Sequence, residues 1–137
     1  MDKFEALFND VYSVFAKPEW TNENIRTLPE NYIAKNLGNE YIRVYVIPGA
    51  SKGYLNMPGS LGGQLMIDIF VPAGEGLKRA LVIAGILNKH LEQKSINTIA
   101  NNVTQFSTSA LNPVGADPVN PSLHRSSYSL PFNFFGI

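Results

Sequence analysis

The sequence contains no cysteine, which excludes disulfide bonds and thiolate metal sites. It is also poor in charge: 16% of its residues are Asp, Glu, Lys or Arg, well below the usual quarter, and eleven basic residues balance eleven acidic ones. A net charge of zero argues against a protein whose main task is to neutralise nucleic-acid phosphates, because such domains carry a basic excess. It also leaves a free monomer with little electrostatic protection against association.

Long apolar runs are missing as well. The longest apolar-rich stretch, Leu77 to Leu91, is interrupted by five polar or charged residues, so it is too short and too polar to span a bilayer. The first ten residues, MDKFEALFND, mix acids with apolar side chains, unlike the basic-then-apolar plan of a secretory signal. We therefore expect a soluble protein, made in a cytoplasm, without a membrane partner. Its 137 residues predict a single domain, 1–137.

Apolar residues at three- and four-residue spacing predict an amphipathic helix at the N-terminus. The stripe consists of Phe4, Leu7, Phe8, Val11, Val14 and Phe15. Lys17-Pro18 ends it, because a proline disfavours helix in the residue before it. Residues 18–40 are polar and are interpreted as a solvated loop, in which Trp20 caps the core. Four bases and seven acids give residues 1–40 a charge of −3, and seven bases and four acids give the remainder +3, so unlike faces of neighbouring copies could meet.

Two β-branched segments, Tyr41 to Ile47 and Gln64 to Val71, predict a hairpin. The period of two puts one apolar set inward: Ile42, Val44, Val46, Leu65, Ile67, Ile69 and Val71. Arg43 and Asp68 fall on the other faces and could pair across the sheet, worth well under about 1 kcal/mol if exposed. Residues 49–63 between the strands hold five glycines and a proline, and are interpreted as a flexible surface arm.

The strongest helix is predicted from Glu75 to Gln93, after a Pro-Ala-Gly turn. Its core-facing stripe consists of Leu77, Ala80, Leu81, Ala84, Leu87 and Leu91, and its apolar surface is widened by Val82, Ile83 and Ile86. Such coverage fits a central helix buried on two sides, or a helix that contacts another subunit with its second side.

The C-terminal region changes in character, with two charges from Ser95 onward. The spacing of apolar residues in 96–106 is nearly helical, but the Asn and Thr between them favour strand or irregular chain, and both remain open. Residues 112–121, with three prolines and a glycine, are predicted to be a loop.

Strict alternation over 127–134 predicts a strand with Tyr128, Leu130, Phe132 and Phe134 on one face. Pro131 has no N–H to donate, which requires an edge position or a bulge. The apolar end, residues 134–137, is expected to pack within the chain or on a neighbour.

No residue pattern indicates catalysis, a cofactor or a metal. His90 and His124 lack an acid at metal-ligand spacing, and a set of Asp117, His124 and a serine would lack the strand–turn–helix frame of a nucleophile. The glycines at 59–63 precede a strand and lack the lysine and following helix of a phosphate loop. Nucleic-acid binding through Tyr45 and Tyr54 would lack clustered basic residues. We therefore expect no enzyme.

The order of these elements resembles the tail terminator (tail completion) proteins of long-tailed bacteriophages. The segment that carries the resemblance runs from Gln64 to Gly76 (QLMIDIFVPAGEG), a strand that passes through Pro-Ala-Gly-x-Gly into a long helix. The strand at 41–49 supports it, and the region 94–127 matches poorly. The resemblance covers most of the chain and implies an α+β fold, with a mixed, mainly antiparallel β-sheet packed against the N-terminal helix and one long central helix.

The family's role implies a structural virion protein in the tail or neck, assembled in the host cytoplasm. Six copies form a ring at the head-proximal end of the tail tube, where the ring stops polymerisation, contacts the tube and neck proteins, and lets DNA pass through its lumen. A head-completion or stopper ring is an alternative, and a small ligand-binding or enzymatic α+β domain is a second. The candidate interaction residues come from the arm, the central helix and the C-terminus: Lys52, Tyr54, Leu55, Met57, Ile83, Ile86, Phe134 and Phe135.

Overall fold

The computed structural model describes residues 3–30, 40–52, 59–74, 76–97 and 102–136, without the side chains of residues 50–52, 59 and 76. Three helices and seven strands lie in these ranges. They are α1 (Lys3–Ala16), α2 (Pro18–Thr21), β1 (Thr27–Pro29), β2 (Tyr41–Lys52), β3 (Gly59–Pro72), α3 (Gly76–Leu91), β4 (Ser95–Ile96), β5 (Val103–Phe106), β6 (Ala110–Ala116) and β7 (Leu123–Gly136).

The strands of the described residues form one sheet in the order β1-β2-β3-β7-β5-β4. β6 also pairs with β7, beside residues 124–129, whereas β5 pairs with residues 132–135 of the same strand. The β1–β2 pair is parallel and every other pair is antiparallel. The predicted α+β fold and the predicted β2–β3 hairpin are therefore confirmed.

Helices α1 and α3 both pack on one face of the sheet, where the main core lies. The predicted inward residues of the hairpin and of β7 lie on this face, all of them buried apart from the partly buried Val46. This agreement follows from the strict alternation of side chains along a strand, which leaves one choice of face once the apolar set is known.

The helices differ from prediction at their outer faces. Phe4 and Phe8 of α1 are exposed, and Phe8 stacks on Tyr12 with 4.3 Å between ring centroids. Leu77 and Leu81 of α3, assigned to the core-facing stripe, are also exposed. In each helix the apolar stripe is wider than the surface that the sheet covers.

The segment after α1 is more ordered than the predicted solvated loop. It contains α2 and β1, and Trp20 is buried and donates its Nε1–H to Thr27 Oγ1 at 2.9 Å. The expectation that Trp20 caps the core is confirmed, since its ring meets that of Phe15 edge-on at 5.1 Å. Residues 31–39 of the predicted loop lie outside the described residues.

The C-terminal region contains more strand than predicted. Residues 110–116 form β6 where the prediction began a loop at 112, and the register shift between Pro113 and Gly115 marks the irregularity that these two residues impose. The ambiguous stretch 96–106 contains the end of β4 and all of β5, both strands.

Pro131 lies in a central strand rather than at an edge. Its carbonyl accepts the Ser107 backbone N–H at 2.9 Å, at the gap between β5 and β6. Because the N–H and C=O of one strand residue point to the same side, the missing donor faces this gap and removes no bond to β3.

Candidate assembly surfaces

The sheet face opposite the helices, here called the open face, begins at a small apolar cluster. Leu28, Tyr41, Phe70 and Leu123 are buried together there, and the Tyr41 and Phe70 rings stack with 4.5 Å between centroids. Next to this cluster, Arg43 of β2 lies directly opposite Asp68 of β3, as the predicted cross-strand pair requires.

The ion pair that the structure forms at this point involves a different arginine. Arg125 Nη2 of β7 lies 3.1 Å from Asp68 Oδ2, and the Arg43 Nη1 donates to the Pro29 carbonyl at 3.3 Å. Asp68 is 7% exposed, so the low value given above for an exposed pair does not apply to it. The reason is that β7 pairs with β3 and brings the Arg125 side chain against Asp68, a neighbour that the β2–β3 hairpin alone does not reveal.

Beyond this charged row, the open face is uncharged. Ile47 is 51% exposed and Phe135 is 40% exposed. The polar residues around them are amides and hydroxyls, among them Gln64, Ser129 and Asn133. None of the described side chains of β2, β3, β5 and β7 on this part of the face carries a charge. A sheet face that is uncharged and exposes two large apolar side chains is suited to contact with another protein.

A second apolar surface, here called the outer patch, lies on α3. It consists of Leu77, Leu81 and Val82, of which Leu81 is 53% exposed. Gly85 lies one turn after Leu81 and has nothing within 4 Å of the position a β-carbon would occupy. The open face and the outer patch belong to different sides of the sheet, so the chain presents two unlike surfaces that each expose apolar side chains.

Some of the predicted interaction residues are buried in the structure, one is exposed, and the others lie outside the described residues. Ile83 and Phe134 are buried in the core, and Ile86 is partly buried against it, whereas Phe135 is exposed on the open face. The Lys52 backbone ends β2, but its side chain lies outside the described residues. Tyr54, Leu55 and Met57 lie outside them as well. The prediction missed exposed apolar residues such as Ile47. The sequence shows only that these residues are apolar, and core residues are apolar too.

His90 has structural contacts with the segment around α2. His90 Nε2 lies 3.2 Å from Glu23 Oε1, and Lys89 Nζ lies 3.1 Å from the same oxygen. The hydrogen bonds of His90 and then Lys89 lower the pKa of Glu23 below its usual value. The His90 ring also meets the Trp20 ring edge-on at 5.4 Å, so this group joins α3 to the segment around α2.

A cavity of about 200 Å³ adjoins His90, lined by Val14, Lys17, Glu19, Lys89, His90 and Ile96. Its charged residues do not form a metal site: within the described ranges, no group of three His, Asp or Glu side chains could hold a metal ion. Asp117 was considered above as part of a catalytic set with His124 and a serine. Its carboxylate accepts the Asn120 backbone N–H at 3.2 Å, a contact that stabilises the turn before β7.

A partly buried polar cluster attaches the chain before β6 to α3. The Tyr128 hydroxyl donates to Asn88 Oδ1 at 2.7 Å, and the Ser109 backbone N–H donates to Glu92 at 2.8 Å. Burial raises the pKa of Tyr128 to about 12. The backbone and hydroxyl hydrogen bonds of Ser109 lower the pKa of Glu92. These contacts stabilise the fold and leave the surfaces above as the functional candidates.

In the part of the chain that the structure describes, no helix is long and apolar enough to cross a membrane. No protein-family model and no curated protein matches the sequence. Two solved structures are similar in fold. A chain from the virion of a native gene transfer agent particle is 13% identical with a TM-score of 0.69, and 96% of each chain is covered. A protein of unstated function is 16% identical with a TM-score of 0.66, covering 95% of this chain and 91% of its own. The fold is therefore shared over nearly the full length of these chains.

Proposed function

We propose that this protein is a structural virion protein, a tail terminator that forms a hexameric ring at the head-proximal end of a phage tail tube. The observation that carries the proposal is the full-length likeness to a chain of the gene transfer agent virion. The match covers 96% of both chains, so it relates their folds over nearly the whole length of each.

The surfaces of the chain support assembly. A ring of identical subunits requires two different patches that fit each other, because each copy meets one neighbour with one side and the second neighbour with another. The open face and the outer patch are two unlike surfaces of this kind, and each exposes apolar side chains. Zero net charge adds no long-range repulsion between copies.

The proposed partners follow from this role. They are five further copies of the chain, the tail tube protein on one side of the ring and a neck or head-completion protein on the other. DNA passes through the lumen without sequence-specific binding. The site of action is the tail or neck of the virion, after assembly in the host cytoplasm, and the role is not enzymatic.

The experiment that tests this proposal measures the mass of the purified protein by light scattering, with negative-stain images of any large species and of tail tubes incubated with the protein. Six-fold rings, or a monomer that caps tube ends, would support a terminator. Rings that bind portal or neck complexes but leave tubes uncapped would instead indicate a head-completion ring. A monomer that does not bind tail tubes, and whose melting temperature shifts when a small ligand is added, would overturn both the terminator and the head-completion ring.

A further inference from the structure

The chain passes from β5 to β6 through residues 107–109, here called the corner, and hydrogen bonds hold the corner from several sides. The Ser107 backbone N–H donates to the Pro131 carbonyl of β7 at 2.9 Å. The Ser107 carbonyl accepts the backbone N–H of Gln93, just after α3, at 3.1 Å. These two contacts join backbone groups, so they do not change with pH in the range where proteins stay folded.

The remaining contacts of the corner go to a carboxylate. The Ser109 backbone N–H donates to Glu92 Oε2 at 2.8 Å, and the Ser109 hydroxyl lies 2.9 Å from the same oxygen and 2.6 Å from Asn88 Oδ1. A hydroxyl has one hydrogen to donate, and Asn88 Oδ1 already accepts the Tyr128 hydroxyl at 2.7 Å. Among the described contacts of Ser107 and Ser109, those with Glu92 alone use an ionisable side chain.

Glu92 lies where a helix disfavours an acid, directly after the last residue of α3. The carbonyl end of a helix carries partial negative charge, which favours bases such as Lys89 and His90 in the last turn. Both of these bases contact Glu23 instead, and in the described part of the chain the Glu92 carboxylate forms no ion pair. Its negative charge is therefore stabilised by the two donors of Ser109 and not by a neighbouring cation.

We infer that Glu92 is an acid-sensitive anchor: when its carboxylate takes up a proton, Ser109 is released and the corner loosens, while the central strands stay paired. A protonated carboxyl group has no charge and carries a hydrogen of its own, so it no longer accepts both bonds with the strength of a carboxylate. β6 begins at the next residue, Ala110, and among the described strands it pairs with β7 alone. The release therefore reaches β6 first. This inference concerns the single chain and does not depend on the proposed ring.

The contacts also give the direction of the pH dependence. The backbone and hydroxyl hydrogen bonds of Ser109 lower the pKa of Glu92 below the value of 4.5 for an unperturbed glutamate. The stabilisation is therefore complete above the pKa of the unfolded chain and is lost as the pH falls through the lower pKa of the folded chain. Tyr128, the other titratable group of the cluster, stays neutral in this range, because burial raises its pKa to about 12.

Two variants of the full chain separate the anchor from a general sensitivity to acid. Glu92→Gln keeps the size of the side chain and removes its charge, so it imitates the protonated carboxyl group at every pH. Glu23→Gln is the matched control, because Glu23 is also a hydrogen-bonded carboxylate beside the last turn of α3 but contacts Lys89 and His90 rather than the corner. The readout is the protection factor of the Ser109 amide in hydrogen exchange, which removes the intrinsic effect of pH. The amides of β3, a strand paired on both sides, report global opening.

In the unaltered protein we expect the protection of Ser109 to fall about tenfold between about pH 6 and about pH 3, while β3 keeps its protection. Glu92→Gln should show the lowered protection already at about pH 6 and no further fall in acid. Glu23→Gln should follow the unaltered protein. Constant protection of Ser109 in the unaltered protein, an acid response that persists in Glu92→Gln, or a parallel loss of protection in β3 would each overturn the inference. If Glu92→Gln does not fold, the curves of the unaltered protein and of Glu23→Gln still decide, because an acid response that disappears in Glu23→Gln would assign it to the wrong carboxylate.

Discussion

At the scale of single residues, Asp68 is the side chain whose environment differs most from expectation. It is buried in the central strand β3 and forms its ion pair with Arg125 at 3.1 Å. Asp68→Ala would leave this arginine, itself partly exposed, without its carboxylate. We expect the free energy of unfolding to fall by about 1.5–3 kcal/mol, the usual loss for a hydrogen bond to a charged group.

Denaturant unfolding measures this loss, with Glu5→Ala on the exposed side of α1 as the control that should stay within about 0.5 kcal/mol. If Asp68→Ala proved as harmless as the control, the carboxylate would be solvated rather than buried.

The raised pKa of Tyr128 predicts that the folded protein loses stability in alkali. Burial raises its pKa to about 12, above the value of 10.0 for an unperturbed phenol. The stabilisation of the neutral phenol is therefore complete below pH 10 and is lost as the pH rises through about 12. A tenfold difference in acidity between the folded and unfolded chains corresponds to about 1.4 kcal/mol of unfolding free energy. Tyr128→Phe cannot ionise, so its unfolding free energy should fall less steeply between pH 9 and about 12 than that of the unaltered protein.

The comparison is made by urea unfolding at several pH values. At neutral pH, Tyr128→Phe should be less stable by about 1 kcal/mol, because the hydrogen bond to Asn88 is lost. Parallel pH curves for the two proteins would show that Tyr128 ionises freely.

At the scale of elements, α3 contains a glycine that lowers its stability. Gly85 lies in the middle of the helix, is exposed, and has open space around its missing β-carbon. Gly85→Ala should raise the free energy of unfolding by about 0.5–1 kcal/mol, because glycine loses more backbone freedom in a helix than alanine does. Thermal unfolding measures the gain, and the reverse change at its neighbour, Ala84→Gly, should lower stability. A lower melting temperature for Gly85→Ala would mean that the site is not open.

The elements that the sequence predicted well are those in which periodicity and burial agree. Strand alternation gave the inward faces of β2, β3 and β7, and the apolar stripe gave the position of α3 to within two residues at each end. β6 was missed because Pro113 and Gly115 are typical of a loop. They are tolerated in this strand because, among the described strands, β6 pairs with β7 alone and its register shifts between these two residues, which only the assembled sheet shows.

The candidate surfaces could be predicted only in part for a related reason. Leu81 and Ile83 are similar apolar residues two positions apart, yet Leu81 is exposed and Ile83 is buried. Which of them faces outward depends on the width of the sheet beneath the helix. The sequence therefore indicated that α3 has more apolar residues than the core can cover, without showing which of them lie on the surface.

At the scale of the whole molecule, the two surfaces with exposed apolar side chains support the proposal that this chain is one part of a larger assembly. A shared fold does not by itself assign a role, so the outer patch provides the more direct test. If it is a contact between copies, its side chains become buried only when the ring forms.

The double variant Leu81→Ser, Val82→Ser should therefore keep its fold and lose its assembly. Both side chains are exposed in the single chain, so the free energy of unfolding should change by less than about 1 kcal/mol. Burying a side chain of this size against a neighbour contributes about 1.5–3 kcal/mol, and a closed ring repeats that contact at every interface. Light scattering over a range of concentrations should show rings giving way to monomers. The matched control is Val119→Ser, at a residue 91% exposed in the turn before β7, where no loss is expected. Rings that persist in the double variant would place the contact on the open face instead, where Ile47 and Phe135 are the residues to change next.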